Sequence, residues 1–233
     1  MKTELDKIRF GKIGVIILAA GRSTRMEGID KITTPVLGRS LLSYSLDLFE
    51  RISFFEKITV VASVDTIENV NQWIQGNGYT KAQVAVGGER RQDSVRLGLQ
   101  DLGDTEITFV HDAARPCITE TLVYKALQLA KENGTAVPVI PVSDTVKEIN
   151  DDGTVKKTLI RDKLFRSQTP QAFLTGLLTR AHKEIISDVT DDASMLEMMG
   201  HPVNTFKGDE ENIKVTTRLD LAIVESILKN RVI

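Results

Sequence analysis

Three observations predict an α/β fold with a mainly parallel sheet and helices on both faces. Strand-like and helix-like segments alternate along most of the chain, which is the rhythm of βα units. The first strand candidate, Ile13–Leu18, is an unbroken apolar run, as expected of a strand buried on both faces. The 233 residues are 41% apolar, enough for a substantial core. A chain of this length suits one large α/β domain or two small ones.

After the first strand, residues 41–52 carry apolar side chains at helical spacing and read as a helix. A strand at 58–62 and a helix at 64–73 follow, then a short strand at 82–86 and a helix at 93–102. The strand at 107–110 ends at His111-Asp112. The helix at 120–132 is stopped by Asn133-Gly134, because glycine takes the left-handed backbone that ends helices. A strand at 136–142 closes this series.

The alternation then breaks. Residues 145–149 and 154–159 are β-rich and flank Asn150-Asp151-Asp152-Gly153; Asp-Gly between such runs is a strong hairpin signal. Both faces of the pair are polar, so the hairpin is expected to project from the body. It is either a plain surface excursion or an arm that grips a partner. A helix at 174–186, a segment at 191–199, a strand near 203–206, an apolar stretch at 213–215 and a last helix at 219–229 complete the chain. No repeat, low-complexity tract or linker interrupts it, so residues 1–233 are read as one domain with 143–161 as its arm.

Composition excludes several classes of function. A formal charge of −2 leaves no basic footprint for nucleic acid. No apolar run approaches the roughly 18 residues of a membrane span, and residues 1–12 are charged, without the apolar core of a signal peptide. The single cysteine, Cys117, excludes an intrachain disulfide and points to a reducing cytoplasm.

The chemistry is expected in the loops that follow the strands. Leu18-Ala19-Ala20-Gly21 closes the first strand with almost no side chain, and Arg22, Arg25 and Lys31 follow. Bare backbone N–H groups approach phosphate oxygens closely and cations neutralise them, so this loop suits a triphosphate. It is neither a P-loop nor a Gly-x-Gly-x-x-Gly dinucleotide loop. A second cluster, Gly87-Gly88-Glu89-Arg90-Arg91-Gln92-Asp93-Ser94, lies between a strand and a helix, at the edge where open α/β sheets bind ligands. Its glycines permit a sharp turn, and Asp93 or Ser94 suits a helix N-cap.

A third cluster, His111-Asp112-Ala113-Ala114-Arg115, ends an apolar strand. Asp112 either caps a turn or serves as a hard oxygen ligand for Mg²⁺, which takes one or two carboxylates plus phosphate oxygens. His111 reads as structural, and His182 and His201 have no partner in the sequence. In Thr190-Asp191-Asp192-Ala193 the aspartates suit a helix N-terminus. Lys214, inside Ile213-Lys214-Val215, is either an exposed strand lysine or the partner of an anion. No nucleophile–base pair, zinc spacing or Gly-x-Ser-x-Gly stands out. That fits a reaction whose attacking group is already an anion, such as a phosphate monoester, with catalysis by positioning and charge neutralisation.

In this order and spacing the clusters resemble those of the 2-C-methyl-D-erythritol 4-phosphate cytidylyltransferases, within the wider family of sugar-nucleotide pyrophosphorylase-like folds. The resemblance spans nearly the whole chain. It is carried by Ala19-Ala20-Gly21 with Arg25-Met26, Gly87-Gly88 with Arg91 and Asp93-Ser94-Val95, and His111-Asp112-Ala113-Ala114-Arg115-Pro116. Thr169-Pro170-Gln171, Thr190-Asp191-Asp192-Ala193 and Asn212-Ile213-Lys214-Val215-Thr216 complete it.

The resemblance implies an enzyme of the non-mevalonate isoprenoid precursor pathway. It would join CTP to 2-C-methyl-D-erythritol 4-phosphate and release pyrophosphate, with Mg²⁺ as cofactor. Ala19, Ala20, Gly21, Gly88, Glu89, Arg91 and Ser94 would bind the nucleotide; Arg25, Lys31 and Lys214 would be catalytic. Asp112, which would also hold the metal, Arg115, Thr169 and Thr190 would surround the substrate. The hairpin would be a homodimer arm that brings Thr145 and Arg161 into the neighbouring site. One departure stands out. The family usually reads Pro-Lys-Gln where this chain has Asp30-Lys31-Ile32, so Lys31 fills the role through a one-residue slip of the loop. Two other readings remain: a sister cytidylyltransferase acting on D-ribitol 5-phosphate, whose members more often carry Val at the place of Ala114, and a non-catalytic nucleotide-binding module.

Overall fold

The computed structural model describes residues 11–21 and 35–231. In chain order these form β1 (Ile13–Leu18), a small hairpin β2 (Pro35–Val36) and β3 (Arg39–Ser40), and α1 (Leu41–Arg51). Next come β4 (Phe55–Ala62), α2 (Ile67–Gly76), β5 (Ala82–Val86), α3 (Arg91–Leu102) and β6 (Ile107–Asp112). Then follow α4 (Glu120–Asn133), β7 (Thr135–Pro141), β8 (Lys147–Ile149) and β9 (Val155–Thr158). A 3₁₀ turn (Arg161–Lys163), β10 (Phe165–Ser167), β11 (Gln171–Leu174), α5 (Thr175–Glu184), α6 (Asp192–Met198), β12 (Thr205–Lys207) and α7 (Arg218–Arg231) complete it.

An eight-stranded sheet runs β10-β7-β11-β6-β1-β4-β5, with β12 also paired to β7. The pairs β6–β1, β1–β4, β4–β5 and β7–β12 are parallel. β11 and β10 are antiparallel to their neighbours, so the sheet is mixed, though mainly parallel. Strand alternation divides the apolar side chains between two cores. Val15 and Ile17 of β1, Ile58 and Val60 of β4, and Phe109 of β6 face α1, α2 and α4. Ile16, Val61 and Val110 face α3, α5 and α6. The expected two-sided sheet follows directly from this period of two. Phe55 meets both Phe49 and Phe109 edge to face at 5.1 Å, each pair adding about 0.5–1.5 kcal/mol beyond its buried area. Phe49 also packs on the ring of His111 at 5.4 Å, which ties this core to the strand end that carries Asp112.

Several boundaries differ from the sequence reading. α2 begins at Ile67 because the Ser63 carbonyl first accepts from both Thr66 and Ile67 N–H, forming a turn. α3 begins at Arg91; Asp93 is therefore not its N-cap but accepts from the Arg90 N–H at 3.4 Å, and Ser94 is turned inward. Neither β10 nor β11 was expected: β11 shares only Leu174 with the helix read at 174–186, and both strands are short and carry polar residues. Residues 213–215 form no strand. The Asp-Gly hairpin is present as expected. Among the described residues β8 and β9 pair only with each other, Gly153 takes φ +84° at the turn, and β9 is exposed along its length. Among the described residues, no helix is long and apolar enough to cross a membrane.

Candidate active site

Parallel pairing brings the ends of β1, β4, β5 and β6 to one edge of the sheet: Leu18 lies beside both Asp112 and Val61, and Ala62 beside Val86. The loops after β1, β5 and β6 leave this edge together. Ala19 N–H donates to the Val61 carbonyl at 2.8 Å, Gly87 N–H to Ala62 at 2.7 Å, and Ala113 N–H to Leu18 at 3.1 Å. Ala19, Ala20 and Gly21 thus lie beside Gly87 and Gly88, two parts of the expected nucleotide loop. A Cβ on Gly87 would sit 2.6 Å from the Ala20 Cβ, so only glycine lets these loops close on each other. Ser94 accepts from the Gly88 N–H at 3.1 Å, and Glu89 is exposed beside it. Arg22, Arg25 and Lys31 lie outside the described residues.

Next to these loops is a cleft of about 190 Å³ lined by Arg91, Asp112, Arg115, Ser167, Gln168, Thr169, Gln171, Thr190, Asp191 and Lys214. Asp112 is its centre. Lys214 Nζ lies 2.7 Å from Asp112 Oδ2, Arg115 Nε 3.8 Å from the same oxygen, and Arg91 Nε 3.8 Å from Oδ1. Of the readings left open for Lys214, the ion-paired one is observed: it sits on an irregular segment with its anion beside it. The Asp112 carboxylate faces cations and does not cap a turn. Three cations around one carboxylate leave the cleft suited to a further anion. A wider surface hollow of about 480 Å³, lined by Glu197, Gly200, His201, Pro202, Val203 and Thr205, has no lysine or arginine in its wall.

Buried hydrogen bonds hold these groups in place. The Asp112 N–H donates to Thr169 Oγ1 at 3.0 Å; Thr169 Oγ1 lies 3.1 Å from His111 Nδ1, and Ser45 Oγ 3.1 Å from His111 Nε2. A neutral His111 protonated at Nε2 satisfies this chain, with Ser45 donating on to the Arg115 carbonyl at 3.4 Å. Burial pushes the His111 pKa down to about 3, so the ring is a neutral strut, as the sequence suggested. Asn212 donates to the Thr169 carbonyl at 2.8 Å, and its own carbonyl accepts from Arg115 Nη1 at 2.8 Å. The Val215 N–H donates to Ala114 at 2.8 Å, which pins the segment that presents Lys214.

Burial would raise the Asp112 carboxyl, but the charges of Lys214, Arg91 and Arg115 outweigh it and hold it well below the usual range. Asp192 is also held down against its burial, by Arg91 and His182. In the unfolded chain both take up protons near pH 4. Below that pH the unfolded state binds more protons, so stability falls as pH falls, until the folded-state carboxyls protonate too. Thermal denaturation is therefore expected to show a stability steady near neutrality that drops steeply below about pH 4; a flat profile there would contradict the pairing.

The donor set also indicates which metal arrangement fits. Among the described residues there is no group of three or more His, Cys, Asp or Glu side chains that could hold an ion. Asp112 offers one hard carboxylate, with Oδ1 approached by Arg91 alone among the described residues. That fits a Mg²⁺ carried mainly by substrate phosphates.

The model of the 2-C-methyl-D-erythritol 4-phosphate cytidylyltransferase family matches residues 13–230. The chain belongs to this family. A relative of that name from Dehalococcoides mccartyi is 38% identical over 219 residues, covering 94% of this chain and 96% of its own. Another from Clostridium novyi is 39% identical over 223 residues, covering 92% and 96%. The crystal structure of 4-diphosphocytidyl-2C-methyl-D-erythritol synthase from Anaerococcus prevotii superposes with a TM-score of 0.83 at 29% identity, covering 94% of this chain and 96% of that one.

Within this cytidylyltransferase fold the cleft gathers Arg91, Asp112, Arg115, Thr169, Thr190 and Lys214 from the expected set. It does not gather Thr145 and Arg161, which are exposed on the arm, where Arg161 Nη1 donates to the Ser143 carbonyl at 3.0 Å. Arg91, expected among nucleotide contacts, stands with the group around Asp112. Sequence reasoning missed Ser167 and the part played by Gln171, which both donate to Asp191 Oδ2, at 3.0 and 2.8 Å. Asp191 caps α6 as expected, by accepting from the Ser194 N–H. Asp192 is no exposed cap residue: it is buried against Arg91 and His182. The adjacent Asp pair was the available signal; nothing in the sequence placed His182 beside it.

Proposed function

We propose that the chain transfers the cytidylyl group of CTP to 2-C-methyl-D-erythritol 4-phosphate and releases pyrophosphate, in the non-mevalonate isoprenoid precursor pathway. The observation that carries this reading is the set of three cations around Asp112 at the carboxyl edge of the sheet, in a chain matched to the family over residues 13–230. The loop residues Ala19, Ala20, Gly21, Gly88, Glu89 and Ser94 hold CTP beside the cleft. A phosphate oxygen of the acceptor attacks the α-phosphorus in line, the new O–P bond forms, and the bond to the β-phosphate breaks. The nucleophile is already an anion, so no general base is required; orientation and preorganised charge supply the catalysis. Lys214, Arg91 and Arg115 hold the acceptor phosphate and offset charge in the transition state, with Arg25 and Lys31 on the triphosphate. Asp112 would hold a Mg²⁺ ion brought with the triphosphate, and the ion would supply further charge neutralisation. The one cysteine, Cys117, is buried and free, which suits a reducing cytoplasm.

Equal amounts of pyrophosphate and a CDP-alcohol are expected from CTP, Mg²⁺ and methylerythritol phosphate. Turnover with D-ribitol 5-phosphate alone would replace this reading with the sister activity.

Residues 143–161 fit a homodimer arm. Ile149, Val155 and Ile160 leave 52–68% of their surface exposed on or beside the hairpin, an apolar display that a second copy would cover. Thr145 and Arg161 would then reach the partner's cleft. Arg161→Ala and Lys214→Ala are each expected to impair turnover, and mixing the two proteins is expected to restore it, because one site of the mixed dimer regains both groups. Failure of exchanged subunits to complement would exclude a shared site.

A further inference from the structure

Asp192 is the first residue of α6 and its side chain is fully buried. It has two partners: Arg91 Nη1, an ion pair at 2.8 Å, and His182 Nε2, from the last turn of α5, within hydrogen-bond distance at 3.1 Å. A buried ion pair contributes little net stability compared with apolar residues of similar volume, so stability alone does not account for the arrangement. Its consequence lies at the other end of the guanidinium. Arg91 opens α3 directly after the glycine loop, lines the cleft, and has its Nε 3.8 Å from Asp112 Oδ1. With Nη1 committed to Asp192, the plane of the fork is set and its remaining N–H groups are presented to the cleft. The Asp192 charge also divides Arg91 between two anions, leaving Lys214 as the close partner of Asp112.

We propose that Asp192 and His182 are positioning residues for the transfer reaction, a buried pair that fixes Arg91 in the cleft beside Asp112. The inference rests on the functional reading above. Neither residue touches substrate; both act through Arg91.

The test measures pyrophosphate release by the full-length protein, varying CTP and methylerythritol phosphate in turn, with circular dichroism to establish folding. Asp192→Asn is expected to lower kcat/KM for methylerythritol phosphate about 10²-fold, as misplacing an orienting group does, and to leave KM for CTP unchanged. Added to Arg91→Met, it is expected to cost nothing further, because the shared interaction is already gone. His182→Gln, which keeps a side-chain N–H for Asp192, is expected to lose less than His182→Ala. Removing one partner of a buried pair can unfold a protein. The combination Arg91→Met/Asp192→Leu therefore removes both charges; it is expected to fold and to match Arg91→Met in activity. Losses that multiply between Arg91 and Asp192, or a folded Asp192→Asn protein with unaltered kinetics, would overturn the inference. An unsubstituted protein that releases no pyrophosphate would instead overturn the functional reading and the inference with it, a distinct result from an active parent with uncoupled variants.

Discussion

Lys214→Ala is expected to lower turnover by about 10²–10³-fold, the usual cost of losing one preorganised donor to developing charge. The lysine side chain is 43% exposed, yet its Nζ reaches 2.7 Å from Asp112 at the mouth of the cleft. Partly exposed ion pairs contribute about 0–1 kcal/mol to stability, and Asp112 keeps Arg91 and Arg115 when Lys214 is gone. The loss should therefore appear in kcat, with the unfolding transition almost unmoved. A variant with near-normal turnover would remove Lys214 from the chemistry. A variant that is merely unstable would make it a structural group.

Asp112→Ala is expected to show the opposite balance, with a large cost to stability as well as activity. Its carboxylate is nearly enclosed and stands among Lys214, Arg91 and Arg115. Arg115 is itself buried, with Nη1 on the Asn212 carbonyl and Nε facing Asp112. Removing the shared anion leaves buried positive charge without compensation, which costs about 3–5 kcal/mol where it has been measured. Urea unfolding should show this as a lower midpoint at constant slope. A change of less than about 1 kcal/mol, the range of solvated surface pairs, would mean that water screens the three cations from one another.

The parallel half of this fold was legible because its strands are buried on both faces and its helices are amphipathic. The apolar run Ile13–Leu18 and the Asn133-Gly134 stop, with Gly134 at φ +81°, are local signals that the tertiary structure keeps. The antiparallel strands β10 and β11 were not legible. Each is only a few residues long, and both are defined by pairing with strands distant in sequence. The same distinction applies to the site. Asp112 and Lys214 announced themselves as charges in apolar surroundings, one ending a strand and the other inside Ile213-Lys214-Val215. Asp192 read as a helix-start aspartate because its neighbour Asp191 is one. Its real partners, Arg91 and His182, come from α3 and α5, and only the packing of three helix ends brings them together.

The measurement that tests the account most directly is the stereochemical course at the α-phosphorus, using a CTP analogue with a chiral α-thiophosphate of known configuration. Attack in line by the acceptor phosphate, with cations doing the stabilising and no nucleotidylated protein group, predicts inversion of configuration in the CDP-alcohol product. Retention would contradict it, because a double displacement would require a protein nucleophile that this cleft has been assigned no residue to supply.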